Sequence, residues 1–309
     1  MKAFVMSAGE GTRLRPLTYD VPKPMIPVAN KPVLENTIEL LKKYGIRDII
    51  INLYTHPQLI RNYFKDGKKF GVNITYSVEK KLKGTAGGVR KMSDKFDDTF
   101  IVMSGDGLID IDLKKVISFH KKKKSIATIV LKRLDARFEY GVVFTKEDSS
   151  ISKFVEKPAW ADVSENRVNT GIYILEPEIF NYIPKNRFYD FGSNVWPKLI
   201  QKSVPFFAYE THGYWCDIGS LLEYRRAQRD VINQRLKFDI KGNMIKKGVW
   251  IGKNTAVKKT AKLAAPCIIG KNSIIEAGVF IGKDTVIGND CFIDVGAEIH
   301  NCIIWDKVY

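Results

Sequence analysis

Ala3-Phe4-Val5-Met6-Ser7-Ala8-Gly9-Glu10-Gly11-Thr12-Arg13-Leu14-Arg15-Pro16, with Pro22-Lys23-Pro24-Met25 after it, is the stretch on which the fold turns. Ala3 to Met6 is a short apolar run that predicts a first β-strand feeding a loop with two glycines. Glycine lets the backbone approach a bulky ligand and turn its N–H groups toward it, which suits the oxygens of a polyphosphate. Arg13 adds a flat bidentate donor and Lys23 a point charge. Two better-known glycine loops do not fit. A P-loop needs Gly-Lys-Ser/Thr, and every Gly-Lys here is followed by Lys, Asn or Asp. A dinucleotide fingerprint has a third glycine and runs directly into a helix, whereas Pro16, Pro22, Pro24 and Pro27 break any helix here. A surface glycine turn would explain the glycines but not the cations and the strand. The stretch reads as a proline-braced phosphate loop.

The rest of the chain sets the frame. Its 309 residues can bury a substantial core, in one large domain or two smaller ones. No apolar run approaches the roughly 18 residues that span a bilayer, and no signal-peptide pattern follows the first Met-Lys. These features predict a cytoplasmic protein with no membrane partner. Cys216, Cys267, Cys291 and Cys302 show neither CxxC pairing nor metal-ligand spacing, so they read as reduced, small and buried. The net charge of +16 raises the question of a nucleic-acid partner. The lysines are scattered, however, and the one block, at 121–124, falls at the end of a predicted helix, where it complements the dipole. Anionic substrates, or an acidic partner domain, account for the excess without a nucleic acid.

From residue 1 to about 130, strand-like runs at 2–6, 48–53, 73–78, 99–104 and 126–132 alternate with helix-like segments at 34–44, 57–65, 86–92 and 113–122. Such alternation predicts a Rossmann-like α/β domain with a mostly parallel sheet and helices on both faces. Ligands of such sheets bind outside the carboxyl ends of the strands, where the opening loop lies. Closely spaced strands at 141–145, 151–156 and 170–175, helices around 177–182, 194–202 and 220–235, and a strand at 206–209 complete the domain. From Ile251 an aliphatic residue recurs every six positions through Val257, Leu263, Ile269, Ile275, Ile281, Ile287, Ile293 and Ile299. This is the hexapeptide repeat of a left-handed parallel β-helix, about three coils long. The expected division is a catalytic domain at 1–236, a linker at 237–250 and a β-helix at 251–309. No capping helix or polar turn closes the repeat at 305–309. The reading therefore expects a longer protein or a partner over that end, and a homo-oligomer formed through the β-helix.

Chemistry at a phosphate needs charge compensation, usually a divalent ion on carboxylates. Asp106 follows the apolar strand Ile101-Val102-Met103-Ser104 and Gly105, so it should project beside the phosphate loop. Asp217, in Gly213-Tyr214-Trp215-Cys216-Asp217-Ile218-Gly219, sits at another strand end. Either aspartate, taken alone, is equally a helix cap or turn residue.

Ala8-Gly9-x-Gly11-Thr12-Arg13-Leu14-x-Pro16-Leu17-Thr18, with Pro22-Lys23-Pro24-Met25-x-Pro27-Val28 and Asn30-Lys31-Pro32, resembles the signature of the sugar-1-phosphate nucleotidyltransferases. It is most similar to that of the mannose-1-phosphate guanylyltransferases. The resemblance implies that Ala8, Gly9, Gly11, Thr12 and Arg13 hold the nucleoside triphosphate, with Arg13, Lys23 and Asp106 catalytic. It implies further that Asp106 and Asp217 share one Mg2+. Gly84-Thr85-Ala86-Gly87-Gly88 is similar to the family's loop against the base, through Gly84, Thr85 and Gly87. Glu139-Tyr140-Gly141-Val142-Val143, Val155-Glu156-Lys157-Pro158 and Asn169-Thr170-Gly171 resemble the sugar-phosphate elements, through Gly141, Glu156, Lys157 and Asn169. Departures exist: Ser7 stands where alanine or glycine is common, Glu10 places a negative charge in the phosphate loop, and Gly107-Leu108 after Asp106 leaves base selection open. The implied reaction joins a nucleoside triphosphate to a sugar 1-phosphate. GTP with mannose 1-phosphate is favoured, and glucose 1-phosphate with dTTP or UTP comes second. A non-catalytic subunit that senses nucleotide-sugar is a reading of another class. An acyltransferase built on His300 in the repeat is the third.

Overall fold

The structure, a computed structural model, describes residues 1–134, 140–158 and 165–309. It divides into two compact units between which the chain passes repeatedly. The first comprises Met1–Thr12, Pro16–Pro24 and Thr37–Asp217, and the second Arg13–Arg15, Met25–Asn36 and Ile218–Tyr309. In chain order the opening elements are β1 (Ala3–Met6), β2 (Pro27–Val28), β3 (Lys31–Pro32), α1 (Val33–Lys43), β4 (Asp48–Leu53), α2 (Pro57–Phe64), β5 (Asn73–Val78), α3 (Gly84–Lys91), β6 (Phe100–Ser104) and β7 (Gly107–Asp110). Then come α4 (Leu113–Lys123), β8 (Ala127–Arg133), β9 (Val142–Thr145), β10 (Ile151–Val155), β11 (Arg167–Leu175), α5 (Trp196–Gln201), β12 (Phe206–Glu210), β13 (Tyr214–Asp217) and α6 (Leu221–Ile232).

The first unit is built on a nine-stranded sheet. β1 lies between β4 and β6, parallel to both, and β5 extends the parallel run beyond β4. Parallel neighbours need crossovers, which α1, α2 and α3 supply. Strands covered on both sides read as unbroken apolar runs, and Ala3, Phe4 and Val5 in β1 and Ile101, Val102 and Met103 in β6 are fully buried. β11 then runs antiparallel to β6, β8 and β9, while β12 joins β8 in parallel and β10 joins β9 antiparallel. The sheet is therefore parallel in the half where strands and helices alternate. It is mixed where the strands follow one another closely. Trp196 is buried between Phe191 and Phe206, with ring centroids at 4.8 and 5.1 Å, and anchors the core under this mixed half.

Some local expectations shift. α3 begins at Gly84 rather than at residue 86, and α5 is shorter than expected, its first turn replaced by a π-helical turn at Phe191–Val195. The short strand β7 went unread. The block at 121–124 does end α4, whose N-cap Asp112 accepts from the N–H groups of Lys114 and Lys115 at 3.1 and 3.3 Å. No helix among the described residues is long and apolar enough to cross a membrane.

In the second unit the chain enters β14 (Asn243–Lys246), which pairs antiparallel with β15 (Val249–Ile251), so the stretch read as a linker already contains strands. The repeat follows as β16 (Ala256–Val257), β17 (Lys262–Leu263), β18 (Cys267–Ile269), β19 (Ile274–Ile275), β20 (Phe280–Ile281), β21 (Thr285–Ile287), β22 (Phe292–Ile293), β23 (Glu298–Ile299) and β24 (Ile303–Ile304). They stack into the three parallel sheets β15-β18-β21-β24, β16-β19-β22 and β17-β20-β23 of a left-handed β-helix. The predicted aliphatic positions form its core, with Ile269, Ile275, Ile281 and Ile287 fully buried. Asn254, Asn272 and Asp290 turn the corners in the left-handed conformation and bond one another up the stack, Asn272 Nδ2 donating to Asp290 Oδ1 at 2.9 Å. Cys267 and Cys291 are buried and burial pushes the Cys267 thiol up to about 11, but Cys302 is exposed, against expectation.

α6 packs on this coil and is N-capped by Ser220, whose hydroxyl accepts from Glu223 N–H at 3.2 Å. Tyr224 Oη accepts from Trp305 Nε1 at 2.9 Å and donates to the Pro27 carbonyl at 2.8 Å. Asn30 Nδ2 donates to the Ile287 carbonyl at 2.7 Å. The helix, the 25–36 segment and the coils thus form one body.

Gly252, Gly270 and Gly288 recur at the same corner of successive coils, and a β-carbon on any of them would overlap the backbone of the next coil. Gly270→Ala should therefore cost at least ~2 kcal/mol. Gly296→Asn, at φ +73° with open space around it, should cost well under half as much, because asparagine tolerates that conformation. Chemical denaturation of the two variants against the wild type measures the difference.

Candidate active site

β1 and β6 are adjacent parallel strands, so the loops at their carboxyl ends lie side by side. Gly105 N–H donates to the Met6 carbonyl at 2.9 Å. A β-carbon on Gly105 would collide with the Ser7 hydroxyl, which is buried without a hydrogen-bond partner among the described residues. Ser7, the departure from the common alanine or glycine, thus fills the seam between the two loops. Gly11 has φ +66°, and a β-carbon there would stand 3.1 Å from Lys23 Cβ and 3.2 Å from Thr18 Cγ2. Thr18 Oγ1 donates to the Gly11 carbonyl at 2.8 Å, so the loop is folded tightly onto the stem of Lys23. Gly9 differs: it is exposed, and a β-carbon would meet nothing within 4 Å. Its open side faces solvent, leaving room for a ligand. Ala8 is buried, Glu10 is exposed, and Thr12 and Arg13 are exposed on the short turn Thr12–Leu14.

Lys23 Nζ lies 2.6 Å from Asp106 Oδ2 and 2.9 Å from Asp217 Oδ1. The two aspartates are 111 positions apart in the sequence. β7 and β13 bring them together by pairing antiparallel with Gly107 opposite Asp217, so the residue before Gly107 reaches the same point. Ser104 Oγ donates to Asp106 as well. All three charged side chains are mostly buried. Burial pushes the Lys23 ammonium pKa down, but the two carboxylates more than offset this and the net shift is upward. Burial pushes Asp106 up, the Lys23 charge pulls it down further, and its carboxyl ends below the usual range. Lys23 and Asp106 are therefore both charged at neutral pH.

This donor set fits a divalent cation. Two hard oxygen donors already converge on one positive atom, and Mg2+ takes one or two carboxylates and completes its shell with water and substrate phosphates. No group of three or more His, Cys, Asp or Glu side chains suited to a metal occurs among the described residues. An ion at Asp106 and Asp217 would draw its remaining ligands from substrate and solvent.

The base-loop candidates open α3 and are pinned to the chain before Trp196. Ala86 and Gly87 N–H both donate to the Tyr189 carbonyl at 2.9 Å. Thr85 donates to Asp190 Oδ1 from its N–H at 2.8 Å and from its hydroxyl at 2.9 Å, and accepts from Phe191 N–H at 2.9 Å. A β-carbon on Gly84, at φ +74°, would stand 2.6 Å from the Tyr189 carbonyl oxygen, and one on Gly87 2.8 Å from that of Arg187. Thr85 and these glycines therefore position the loop before they touch any ligand. A buried chain ties it to the phosphate loop: Ser7 N–H donates to Asn52 Oδ1 at 2.7 Å, Asn52 Nδ2 to Glu79 Oε1 at 2.8 Å, and Lys83 N–H to Glu79 Oε2 at 2.9 Å.

In the sugar half, Glu139 lies outside the described residues. A β-carbon on Gly141 would overlap the Phe154 ring and stand 3.0 Å from Glu156 Oε2, and one on Gly192 would overlap Glu156 Oε2. Lost solvation pushes the Glu156 carboxyl above the usual range; Lys157 pulls it down and Asp190 pushes it up. Lys157 is exposed and held at φ +46°, directly before Pro158. That conformation costs a non-glycine residue roughly 1–2 kcal/mol, which points to a required placement of its side chain. Asn169 sits where the register of β11 against β8 shifts, a bulge that continues through Gly171 at φ +73°. Its Oδ1 accepts from Gly171 N–H and its Nδ2 donates to Tyr173 Oη, both at 3.0 Å. Trp215 Nε1 donates to the Thr170 carbonyl at 3.0 Å, which couples the bulge to the strand that carries Asp217. Asn52, Glu79 and Asp190 escaped the sequence reading. A polar residue inside the apolar run Ile49-Ile50-Ile51-Asn52-Leu53 was the available signal for the first; Asp190 gives none.

Comparisons with known proteins agree with this arrangement. The model of the family described as nucleotidyl transferase matches residues 2–234, and that of the bacterial transferase hexapeptide repeats matches 248–283. A UTP–glucose-1-phosphate uridylyltransferase of Synechocystis sp. is 40% identical over 99% of this chain and 83% of its own length. Probable mannose-1-phosphate guanylyltransferase 3 of Oryza sativa subsp. japonica is 34% identical over 87% of this chain and 75% of its own length. Among solved structures, that of a putative glucose-1-phosphate thymidylyltransferase from Bacillus anthracis superposes with a TM-score of 0.69 at 26% identity, covering 77% of this chain and 97% of that one. With a nucleotidyl transferase domain over residues 2–234, a hexapeptide coil after it and these relatives along its length, this chain belongs to the sugar-1-phosphate nucleotidyltransferase family.

Proposed function

We propose that the protein catalyses Mg2+-dependent transfer of a nucleotidyl group from GTP to mannose 1-phosphate, releasing pyrophosphate. The observation that carries the catalytic reading is the convergence of Lys23, Asp106 and Asp217 beside the open backbone of Gly9. A phosphate oxygen of the sugar phosphate attacks the α-phosphorus in line, the bond to the β-phosphate oxygen breaks, and pyrophosphate departs. The nucleophile is already an anion, so the protein supplies positioning and charge rather than a base. Backbone N–H groups of Gly9 to Thr12 and the Arg13 guanidinium hold the triphosphate. Lys23 and Lys157 reduce the repulsion between two polyanions, and Glu156 and Asn169 receive the sugar hydroxyls near Gly141. A divalent ion bound to Asp106 and Asp217 would supply Lewis-acid neutralisation of the phosphate charge.

The GTP and mannose 1-phosphate pair is supported by the Gly84-Thr85-Ala86-Gly87 loop and by guanylyltransferase relatives spanning 98–100% of the chain at 32% identity. The uridylyltransferase at 40% identity supports a second reading, UTP with glucose 1-phosphate. Epimeric sugars differ by one hydroxyl orientation, and one or two hydrogen bonds decide between them. His300 is exposed on the coil against Phe280 and Glu298, an arrangement that lends the acyltransferase reading no support.

Pyrophosphate release across a grid of nucleoside triphosphates and sugar 1-phosphates tests both pairs. Turnover is expected with GTP and mannose 1-phosphate and should stop on addition of a chelator. Release with UTP and glucose 1-phosphate alone selects the second pair, and silence in every well leaves the sensor reading. Asp106→Asn should lower kcat at least ~100-fold with an unchanged circular dichroism spectrum; full turnover in that variant refutes the assignment of the site. Glu156 receives the sugar as a carboxylate. With its carboxyl raised above the ordinary ~4.3, KM for the sugar phosphate should begin to climb at a higher pH than an ordinary glutamate gives as the medium is acidified. In Glu156→Gln, KM should be high and lack that component, as steady-state kinetics across pH would reveal.

A further inference from the structure

Behind α3, on the side turned toward the 185–187 segment, lies a cavity of about 230 Å3. Lys83, Arg90, Lys91 and Lys185 line it together with Gly87, Ser93 and Asn186, and among the described residues no carboxylate does. Four cations around one hollow repel one another and concentrate positive potential there. Among the described residues none of the four forms a salt bridge with an acidic side chain. Lys91 Nζ instead donates to the Val78 carbonyl at 2.6 Å, and Arg90 Nη1 to Ser93 Oγ at 2.8 Å. Arg90 Nε is buried away from solvent and has no acceptor among the described residues. The Arg90 guanidinium also lies 5.4 Å from the centroid of the Phe180 ring, which fixes its plane and leaves its fork preformed.

We infer that this cavity is a binding site for a small phosphate-bearing anion, separate from the substrates held at Gly9 to Arg13 and at Glu156 and Lys157. A phosphate dianion would offset part of the cationic lining and accept from the forked guanidinium and the ammonium groups. The volume lies below the roughly 300 Å3 at which pockets for drug-sized ligands begin, so it suits inorganic phosphate or a short phosphomonoester rather than a nucleotide. Its position gives the site a consequence. The wall that carries Lys83 and Arg90 is the helix whose first residues meet Tyr189 and Asp190, and Lys83 N–H ends the hydrogen-bond chain from Ser7 through Asn52 and Glu79. An anion in the cavity pulls on the same helix that frames the base loop.

Isothermal titration with inorganic phosphate and with glycerol 3-phosphate, which is no substrate of the proposed reaction, tests the site. Lys185 is exposed, so Lys185→Gln keeps the fold, and it should weaken binding about tenfold; Arg90→Gln should weaken it at least as much. Arg13→Ala, which disables the proposed triphosphate loop, should leave this affinity unchanged, so failure of the site and failure of the proposed function give different results. Tighter binding of glycerol 3-phosphate than of phosphate assigns an organic ligand, and equal binding assigns phosphate itself. Unchanged affinity in both Lys185→Gln and Arg90→Gln, or loss of binding in Arg13→Ala alone, overturns the inference.

Discussion

The Lys23 ammonium between the Asp106 and Asp217 carboxylates is the interaction on which the first unit depends. Two mostly buried carboxylates this close repel strongly and resist joint ionisation. A buried cation removes that penalty, and in return its own desolvation is offset by two hydrogen-bonded anions. Each partner comes from a different part of the chain. Lys23 is fixed by the packing of Gly11 on its stem, Asp106 by the end of β6, and Asp217 by the pairing of β13 with β7. Removing one partner leaves uncompensated buried charge, which costs more than the pair contributes.

Around that triad the neighbouring loops are tied by polar chains rather than apolar packing. Asn52 and Glu79, both nearly fully buried, join the end of β4 and the segment after β5 to the phosphate loop and to the start of α3. Trp215 fixes the bulge of β11 from the strand that holds Asp217. Buried polar networks of this kind are costly when half satisfied and rigid when complete. Only the Ser7 hydroxyl, at the seam with Gly105, has no partner in this group.

Local periodicity made the parallel half of the sheet and the hexad coil legible from sequence, because each residue's face there follows from its position in a repeat. Asp106 and Asp217 could be named individually, but their meeting could not. β7 is four residues long and its pairing with β13 spans more than a hundred positions, beyond any sequence window. The mixed half of the sheet was visible only as crowding of strands, since β11 pairs with three partners and its bulge leaves no periodic trace. α6 was legible as a helix, yet its packing with the 25–36 segment on the coil is held by long-range hydrogen bonds of Tyr224, Gln228 and Asn30. β14 is exposed along its whole length and so carries no core signal in the sequence.

The glycines show how one residue type answers different constraints in one site. Gly11, Gly84, Gly87, Gly105, Gly141 and Gly192 are glycines because neighbouring protein atoms already occupy the place of a β-carbon. They would be needed with no ligand at all. Gly252, Gly270 and Gly288 obey the same rule in the coil, where the next turn of backbone is the neighbour. Gly88 joins them, its missing β-carbon making room for Asn52 Nδ2 at 2.9 Å and Glu79 Oε1 at 2.8 Å. Gly9 stands apart, with ordinary φ and empty space around it. A side chain there would offend nothing in the protein, so folding alone does not account for glycine at that position. The remaining constraint is a body that approaches from outside, and a polyphosphate drawn against the backbone N–H groups of the loop is one that fits.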